Sequence, residues 1–289
     1  MVSLIGQLII DGLGMGLIYV LLSTGFVLIL SIPRILFVAY GQFYMVGAYI
    51  VWACLVLLKW PFFISLLVAV LCTSILGAVS YRLIYHYILK RHFLSGIVAS
   101  IALMMILGQA ALLIFGTHSR GMPSVFPGMI RIGGMSISVE KLVLIMLTTA
   151  VIFALYFFLR KSKTGQAMRA VSFNADVAAL QGINPERIYQ SALVIGCALA
   201  GFAGAVMAPV YAVSPSMGSI IITVLLVVMF GGMNSVMGAA LGGIILGLTL
   251  SFGYYFLGGG LAQILLFLAI SIIVFFRPGG LFGESINEF

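Results

Sequence analysis

The ionisable side chains of this chain are few, and their spacing forms no catalytic or metal-binding arrangement. Asp11 is the one clear acid within an apolar stretch, whereas Glu140 lies at the end of such a stretch and His86 and His92 lie among basic residues. The sequence contains no metal-ligand spacing, no nucleophile paired with a base and no GxxxxGK[ST] phosphate loop. It therefore predicts a protein that is not an enzyme, needs no cofactor of its own and does not hydrolyse nucleotide.

One polar segment, residues 160–188, interrupts a chain that is 63% hydrophobic and 7% charged. A charged side chain at mid-bilayer costs roughly 2.5 to 3.5 kcal/mol, so this segment must lie in water. Its pattern predicts one amphipathic helix from Thr164, as N-cap, to Gly182, with Pro185 just beyond. The narrow apolar face of such a helix suits a groove on a cytoplasmic partner. A helix lying on lipid is disfavoured because its large apolar anchors are only Phe173 and Leu180.

The remaining sequence predicts an all-α, polytopic membrane protein, because its apolar runs are long and continuous. The run at 219–230 is shorter than the roughly 20 residues of a straight span, so the sequence predicts eight or nine transmembrane helices. The apolar runs cover residues 4–32, 35–58, 62–85, 94–115, 139–159, 189–213, 219–230, 236–256 and 261–276.

The distribution of basic residues predicts the orientation of these spans. The stretches 33–34, 82–92 and 160–187, together with Arg277, hold ten of the 14 Lys and Arg residues. Basic residues favour the cytoplasmic side, which places the N-terminus outside and, with nine crossings, the C-terminus inside. The loop 116–138 is then external. Its turn-forming residues indicate either a fold over the outer mouth, where a soluble partner could dock, or a passive cap.

Glycines within the spans recur at helical spacing and predict close packing between helices. A proton- or sodium-coupled carrier would also need ionisable groups at mid-membrane, and Asp11 alone is thin support for one. The sequence thus predicts a passive pore or a transporter that takes free energy from another subunit. The glycines predicted to pack are Gly12, Gly16, Gly204, Gly238, Gly242, Gly243 and Gly247.

The segment GQAMRAVSFNADVAALQGINPERI resembles the cytoplasmic coupling segment of the LivH-type permeases of branched-chain amino acid ABC importers, whose pattern is Gly-Arg-Ala-x-Arg-Ala followed by Ala-x-x-x-Gly-Ile-Asn. Further matches lie in YGQFYMVGAYI, in the glycine run 231–247 and in the closing PGGLFG, so the resemblance covers almost the whole chain. The residues that carry it in the coupling segment are Gly165, Ala167, Arg169, Ala170, Ala179, Gly182, Ile183 and Asn184.

The resemblance implies a single permease domain, residues 1–289, with the coupling segment 160–188 inside it, in the cytoplasmic (inner) membrane of a bacterium. It implies as partners a LivM-like second permease, two ATPase subunits that bind the ATP, and a periplasmic or extracellular solute-binding protein. ATP binding would then push the coupling segment and switch the pore between outward and inward access. The residues expected to contact the ATPase are Gly165, Met168, Arg169, Asn174, Asp176, Ala179, Gly182, Ile183 and Asn184.

One stretch departs from the family pattern. Where these permeases usually have Asn-Phe-Ala-His-Gly-Glu, this chain has FVAYGQ at 37–42, which is less charged and more aromatic. We predict a solute pathway near helix interruptions, for amino acids or other small organic solutes; packing at a helix start is the structural alternative. The rival functions are a stand-alone secondary transporter or facilitator and a membrane scaffold. The predicted pathway residues are Tyr19, Tyr40, Gln42, Tyr44 and Asn234.

Overall fold

The computed structural model describes residues 2–88, 93–132, 135–233, 235–277 and 279–280. Within these residues, eight helices are long and apolar enough to cross a membrane, and one shorter apolar helix runs over Pro215–Gly231. The predicted all-α, multi-pass architecture is therefore confirmed. The α-helices are α1 Val2–Ser31, α2 Tyr40–Trp52, α3 Phe62–Ser80, α4 His86–Ile88, α5 Phe93–Phe115, α6 Val139–Lys161, α7 Lys163–Phe173, α8 Ala175–Leu180, α9 Pro185–Met207, α10 Ile220–Gly231, α11 Val236–Leu257 and α12 Gly259–Phe276.

Shorter elements extend several of these helices. The π-helical turns Ala53–Leu57 and Tyr81–Tyr85 continue α2 and α3, and a 3-10 helix, Pro215–Ser219, precedes α10. The loop predicted to be external contains an antiparallel hairpin of β1, Met129–Ile132, and β2, Met135–Ser138, with Ile130 opposite Ile137. The sequence analysis predicted turns in this loop but no strands.

The chain divides into two compact units. The first unit takes its described residues from Met1–Val27, Ser124–Thr149 and Ile222–Phe289, and the second from Leu28–Pro123 and Ala150–Ile221.

Glycines hold α1 against α11 in the first unit. A Cβ added at Gly12 would lie 3.0 Å from the Leu248 Cα, and one at Gly243 would lie 2.6 Å from the Val20 backbone nitrogen. Such contacts leave no room for a side chain, so the two backbones touch directly. Polar side chains add interhelical hydrogen bonds, since Ser251 Oγ donates to Leu8 O at 2.7 Å.

The remaining glycines predicted to pack in this unit lie in the same region. Gly16 faces Ile244, Gly247 faces Gly16, Gly242 faces the Val227 carbonyl, and the Gly238 carbonyl faces Gly231. Next to them lies an apolar cluster of α10, α11 and α12 side chains: Val227, Phe230, Leu246, Leu250, Leu266 and Ile270.

Helices α2, α3 and α9 form the centre of the second unit. A Cβ at Gly204 would overlap the Tyr44 carbonyl, and one at Gly47 would lie 2.6 Å from the Gly201 Cα. On the other side of α9, a Cβ at Gly77 would lie 2.8 Å from the Cys197 Cβ. Backbone contact with α2 and small side chains toward α3 therefore hold α9 closely between these two helices.

Helix α2 begins five residues later than the apolar run at 35–58 suggested, so the predicted start of this span is wrong. The stretch before it is not helical although fully buried at Phe37 and Ala39. Ser100 of α5 satisfies its backbone, because Ser100 Oγ accepts from the Val38 N–H at 3.3 Å and lies 3.1 Å from the Leu36 carbonyl. Non-helical backbone at membrane depth needs such internal partners.

Candidate functional site

The polar segment starts with a sharp turn between α6 and α7. Ser162 is the N-cap of α7, since its Oγ accepts from the Gly165 N–H at 2.9 Å and donates to the Phe158 carbonyl at 2.6 Å. The predicted N-cap, Thr164, is therefore wrong by two residues. Gly165 permits the turn, because a Cβ there would lie 2.6 Å from the Leu159 Cα.

The inner face of α7 packs into the second unit. Met168 is fully buried and Val171 is 3% exposed, and α7 packs on α9. Met168 and Gly165, both predicted to contact an ATPase, have therefore no surface to offer to another subunit. Both residues are buried in this chain, which favours internal packing for them, and their contact with an ATPase stays a prediction.

The predicted single helix is two helices. Asn174 adopts an extended conformation, with φ −155° and ψ 112°, and its Oδ1 accepts from the N–H groups of Asp176 and Val177 at 3.0 and 3.1 Å. Asparagine competes for backbone hydrogen bonds in this way, and it therefore favours caps over helix interiors. The break at Asn174 turns the segment into an elbow of α7 and α8.

The segment ends in a tight turn into α9. Gly182 has φ +84°, a conformation that glycine adopts without steric cost, and Ile183 N–H donates to the Ala178 carbonyl at 3.1 Å. Asn184 then caps α9, with its Oδ1 accepting from Glu186 N–H at 3.0 Å. Only three residues separate Leu180, the last residue of α8, from the cap residue Asn184. Helices α8 and α9 are thus joined by a short, hydrogen-bonded connection.

Three apolar side chains of the elbow point into solvent. The exposed fractions are 85% for Phe173, 51% for Val177 and 89% for Leu180. No candidate membrane span includes these residues. Large exposed apolar groups on an otherwise polar segment indicate an interaction surface. We call Phe173, Val177 and Leu180 the elbow surface.

The other residues predicted to contact the ATPase lie in the same segment as this surface. Arg169, Asn174, Asp176, Ala179, Gly182 and Asn184 are exposed, and Ile183 is partly buried. Arg169 is held in place, because its Nη2 donates to the Arg160 carbonyl at the end of α6, at 3.3 Å. Seven of the nine predicted contact residues therefore have surface available to a partner.

The start of α9 is also tied to α3. Tyr81, in the π-helical turn after α3, donates its hydroxyl hydrogen to the Glu186 carbonyl at 3.0 Å. The His86 Nδ1 lies 3.9 Å from Glu186 Oε2. These contacts connect the elbow, through α9, to the end of a membrane span.

The predicted pathway residues fall in different places. Tyr40, Gln42 and Tyr44 lie in the first turns of α2, and all three are buried in the second unit. Tyr19 lies in the first unit, packed against its apolar cluster. Asn234 lies outside the described residues. The structure thus groups three of the five predicted residues at one helix start.

Asp11, the acid within the first span, forms an ion pair. Its Oδ1 lies 2.7 Å from Lys141 Nζ, and both side chains are about one-third exposed, at 31% and 35%. Glu140, next to that lysine, accepts from Ser124 Oγ and Val125 N–H at 2.9 Å each. Within the described residues, no group of three His, Cys, Asp or Glu side chains could hold a metal ion.

The elbow surface is the feature that the sequence analysis undervalued. Phe173 and Leu180 were visible as large apolar residues in a polar segment, but they were weighed only as lipid anchors. Phe173 ends α7 just before the break at Asn174, and Val177 and Leu180 lie in α8 just after it. The signal available in the sequence was the asparagine at position 174, because asparagine favours helix caps.

Comparison with known proteins relates the chain to permease proteins. Residues 8–276 match the family model described as "Branched-chain amino acid transport system / permease component". The chain is 28% identical over 292 residues to BraD, a high-affinity branched-chain amino acid transport system permease protein of Pseudomonas aeruginosa, covering 96% of this chain and 95% of that protein. It is 28% identical over 258 residues to LivH, the corresponding permease protein of Escherichia coli, covering 84% of each.

A solved structure shares the fold. PsaBC from Streptococcus pneumoniae, determined in complex with Fab, superposes with a TM-score of 0.51 at 12% sequence identity, covering 96% of this chain and 93% of that chain. At this identity the similarity concerns the arrangement of helices alone.

Proposed function

We propose that this chain is one membrane-spanning subunit of an ATP-driven importer, because it belongs to the family of permease components of branched-chain amino acid transport systems. Its cargo would be amino acids of the branched-chain type or related small organic solutes. We place it in the cytoplasmic membrane of a bacterium, beside a LivM-like second permease. Two ATPase subunits would bind and hydrolyse the ATP, and an external solute-binding protein would deliver the solute. The chain itself would need no cofactor.

The elbow surface is the observation that carries this proposal. Exposed apolar side chains in water are unfavourable, by about 25 cal/mol for each Å² of apolar area, and Phe173 and Leu180 are almost fully exposed in the isolated chain. A partner that covers them would recover this free energy. The flanking polar and basic residues, among them Arg169 and Asp176, suit the rim of a protein interface. Membership in the permease family favours an ATPase subunit as the partner that covers these side chains.

The energy source distinguishes this proposal from its rival. A secondary carrier needs an ionisable group that is free to exchange a coupling ion. Asp11, the acid in the first span, is engaged with Lys141, which favours a structural role for the pair. A subunit that draws free energy from elsewhere needs no such group.

Reconstitution tests the proposal. The chain and its partner permease are inserted into liposomes with and without the ATPase subunits, and uptake of labelled leucine is measured with the loaded solute-binding protein outside. We expect accumulation only when the ATPases and internal ATP are both present. Accumulation by the permeases alone, driven by a proton or sodium gradient, would favour the secondary carrier, and a lack of transport in every combination would favour a scaffold.

A further inference from the structure

Four exposed basic residues surround the turn between α6 and α7. Arg160 and Lys161 are the last two residues of α6, whereas Lys163 begins α7 and Arg169 lies farther along it. Residues 141–175 contain no Asp or Glu, and among the described residues no carboxylate forms a salt bridge with any of the four cations. Like charges repel one another, so an anion bound at this turn would stabilise it.

The two arginines of this cluster are held near the end of α6. Arg160 turns back along its own helix, because its Nη1 donates to the Tyr156 hydroxyl oxygen at 2.6 Å and its Cζ lies 5.9 Å from the centre of that ring. Arg169 reaches across from α7, where its Nη2 donates to the Arg160 carbonyl at 3.3 Å. A guanidinium carries five N–H donors, so each arginine keeps several donors for an anion.

Exposed aromatic rings lie one helical turn before the cations of α6. Tyr156 precedes Arg160 by four residues and Phe157 precedes Lys161 by four, so each ring shares a face of the helix with one cation. The rings are 48% and 55% exposed. The candidate span Val139–Lys161 contains both rings and ends with both cations. Rings followed by charges at the end of a span match the order of acyl chains and headgroup in a lipid.

A phospholipid fits this arrangement better than a soluble anion does. A free phosphate would pair with the cations but would not contact the rings of Tyr156 and Phe157. The elbow surface, which we assign to the ATPase, begins only at Phe173, whereas these rings lie in a candidate membrane span. On the cytoplasmic side, where the distribution of basic residues places this turn, membranes carry anionic lipids that attract clusters of Lys and Arg.

We propose that Arg160, Lys161 and Lys163 form a binding site for the phosphate headgroup of an anionic phospholipid, whose acyl chains lie along Tyr156 and Phe157. The site goes beyond the proposed import function, since its ligand is a component of the membrane and not a cargo or a subunit. Charge-assisted hydrogen bonds from both helices to one phosphate link the end of α6 to the start of α7. The bound lipid thereby stabilises the turn from which the polar segment starts.

Fluorescence quenching by brominated lipids tests the site. Phe157→Trp places an indole one turn before Lys161, and the complete transporter is inserted into phosphatidylcholine nanodiscs that contain a fraction of brominated lipid. Bromine on the acyl chains quenches only an indole that it touches, and a complex with the native Phe157 supplies the signal of all other tryptophans for subtraction. We expect brominated phosphatidylglycerol to associate about tenfold more strongly than brominated phosphatidylcholine, since each nearby cation contributes up to about fivefold and salt screens part of this.

Variants that remove charge, measured with the same reporter, identify the residues that hold the headgroup. Arg160→Gln should lower the preference for phosphatidylglycerol about threefold, and the Lys161→Gln, Lys163→Gln double variant about fivefold. Arg187→Gln is the matched control. Arg187 is an exposed cation of the same polar segment, but Ile183, four residues before it, is not aromatic. The control should leave the preference unchanged, and co-purification verifies that every complex is assembled.

Equal association of the two brominated lipids, or an unchanged preference in both charge-removing variants, would overturn the proposal. Stronger displacement of phosphatidylglycerol by inorganic phosphate than by chloride of the same ionic strength would identify a site for a free anion and overturn it too. A preference that the permease pair shows and the complete transporter lacks would assign the cations to the ATPase contact instead. Quenching is measured without transport, so a lipid preference in a complex without ATP-dependent uptake would contradict only the proposed function.

Discussion

Truncating the elbow surface tests the proposed coupling to an ATPase most directly. Fully burying a phenylalanine or leucine side chain contributes about 1.5 to 3 kcal/mol. Phe173 and Leu180 are 85% and 89% exposed, so nearly all of that area is free for a partner. Alanine retains part of each contact. We therefore expect Phe173→Ala and Leu180→Ala each to weaken ATPase binding by about 1 to 2 kcal/mol, which is roughly 5- to 30-fold in the dissociation constant.

The assay measures binding of the purified ATPase to nanodiscs that hold the permease pair, followed by ATP-dependent uptake in liposomes. Leu113→Ala is the matched control, because Leu113 is 87% exposed but lies in the membrane span Leu94–Phe115. It should leave ATPase affinity unchanged. Wild-type affinity in the Phe173→Ala, Leu180→Ala double variant would refute the assignment of this surface.

A fluorescence measurement separates protein contact from lipid contact. Tryptophan in place of Phe173 should emit as an exposed indole in nanodiscs without ATPase, after subtraction of the two native tryptophans. Its emission should shift to the blue only when ATPase is added. A blue-shifted emission without ATPase would mean that the elbow surface lies in the headgroup region of the bilayer.

Other predictions concern packing, ion pairing and the turn into α9. Gly77→Ala should lower the melting temperature of the detergent-solubilised chain, since its Cβ would meet the Cys197 Cβ at 2.8 Å and overpacking costs about 1 to 3 kcal/mol; adding Cys197→Gly should recover part of the loss, and additive effects would contradict the contact. Asp11→Asn should retain ATP-dependent uptake, because the partly exposed pair with Lys141 is worth at most about 1 kcal/mol; abolished uptake would instead support ion coupling through Asp11. Gly182→Ala should destabilise the chain by roughly 1 kcal/mol, since φ is +84° there while open space surrounds the position; an unchanged melting temperature would show that the turn relaxes.

The spans could be predicted from the sequence because their signal is local. Continuous apolar runs of sufficient length need no tertiary information, and the run at 62–85 corresponds to the observed span Phe62–Ile88. The start of α2 is different. Residues 35–39 are as apolar as the helix that follows, but they form an irregular stretch with hydrogen bonds to Ser100, 62 residues from Val38 along the chain. A contact at such a distance has no local signature.

The coupling segment could be predicted from the sequence only in part. Its polarity and the residues that carry the family resemblance were sufficient to locate it, and the family prediction is confirmed by the match over residues 8–276. The direction of each side chain was not available, because an unbroken helix from Thr164 fits the composition as well as two helices do. Met168, in α7, is buried, whereas Leu180, in the helix that the Asn174 cap begins, is exposed. The break at Asn174 thus separates a packed helix from one whose Leu180 a partner can reach.

The same geometry determines where a push on the elbow would be felt. Helix α8 reaches α9 through a turn closed by backbone hydrogen bonds and the Asn184 cap, so we expect a displacement of α8 to move α9 as well. Farther along, α9 meets α2 at Gly204, backbone against backbone at the Tyr44 carbonyl. Side chains absorb small displacements by changing rotamer, but a contact between two backbones contains no side chain that could do so. We therefore expect such a displacement to reach the first turns of α2, which carry Gln42.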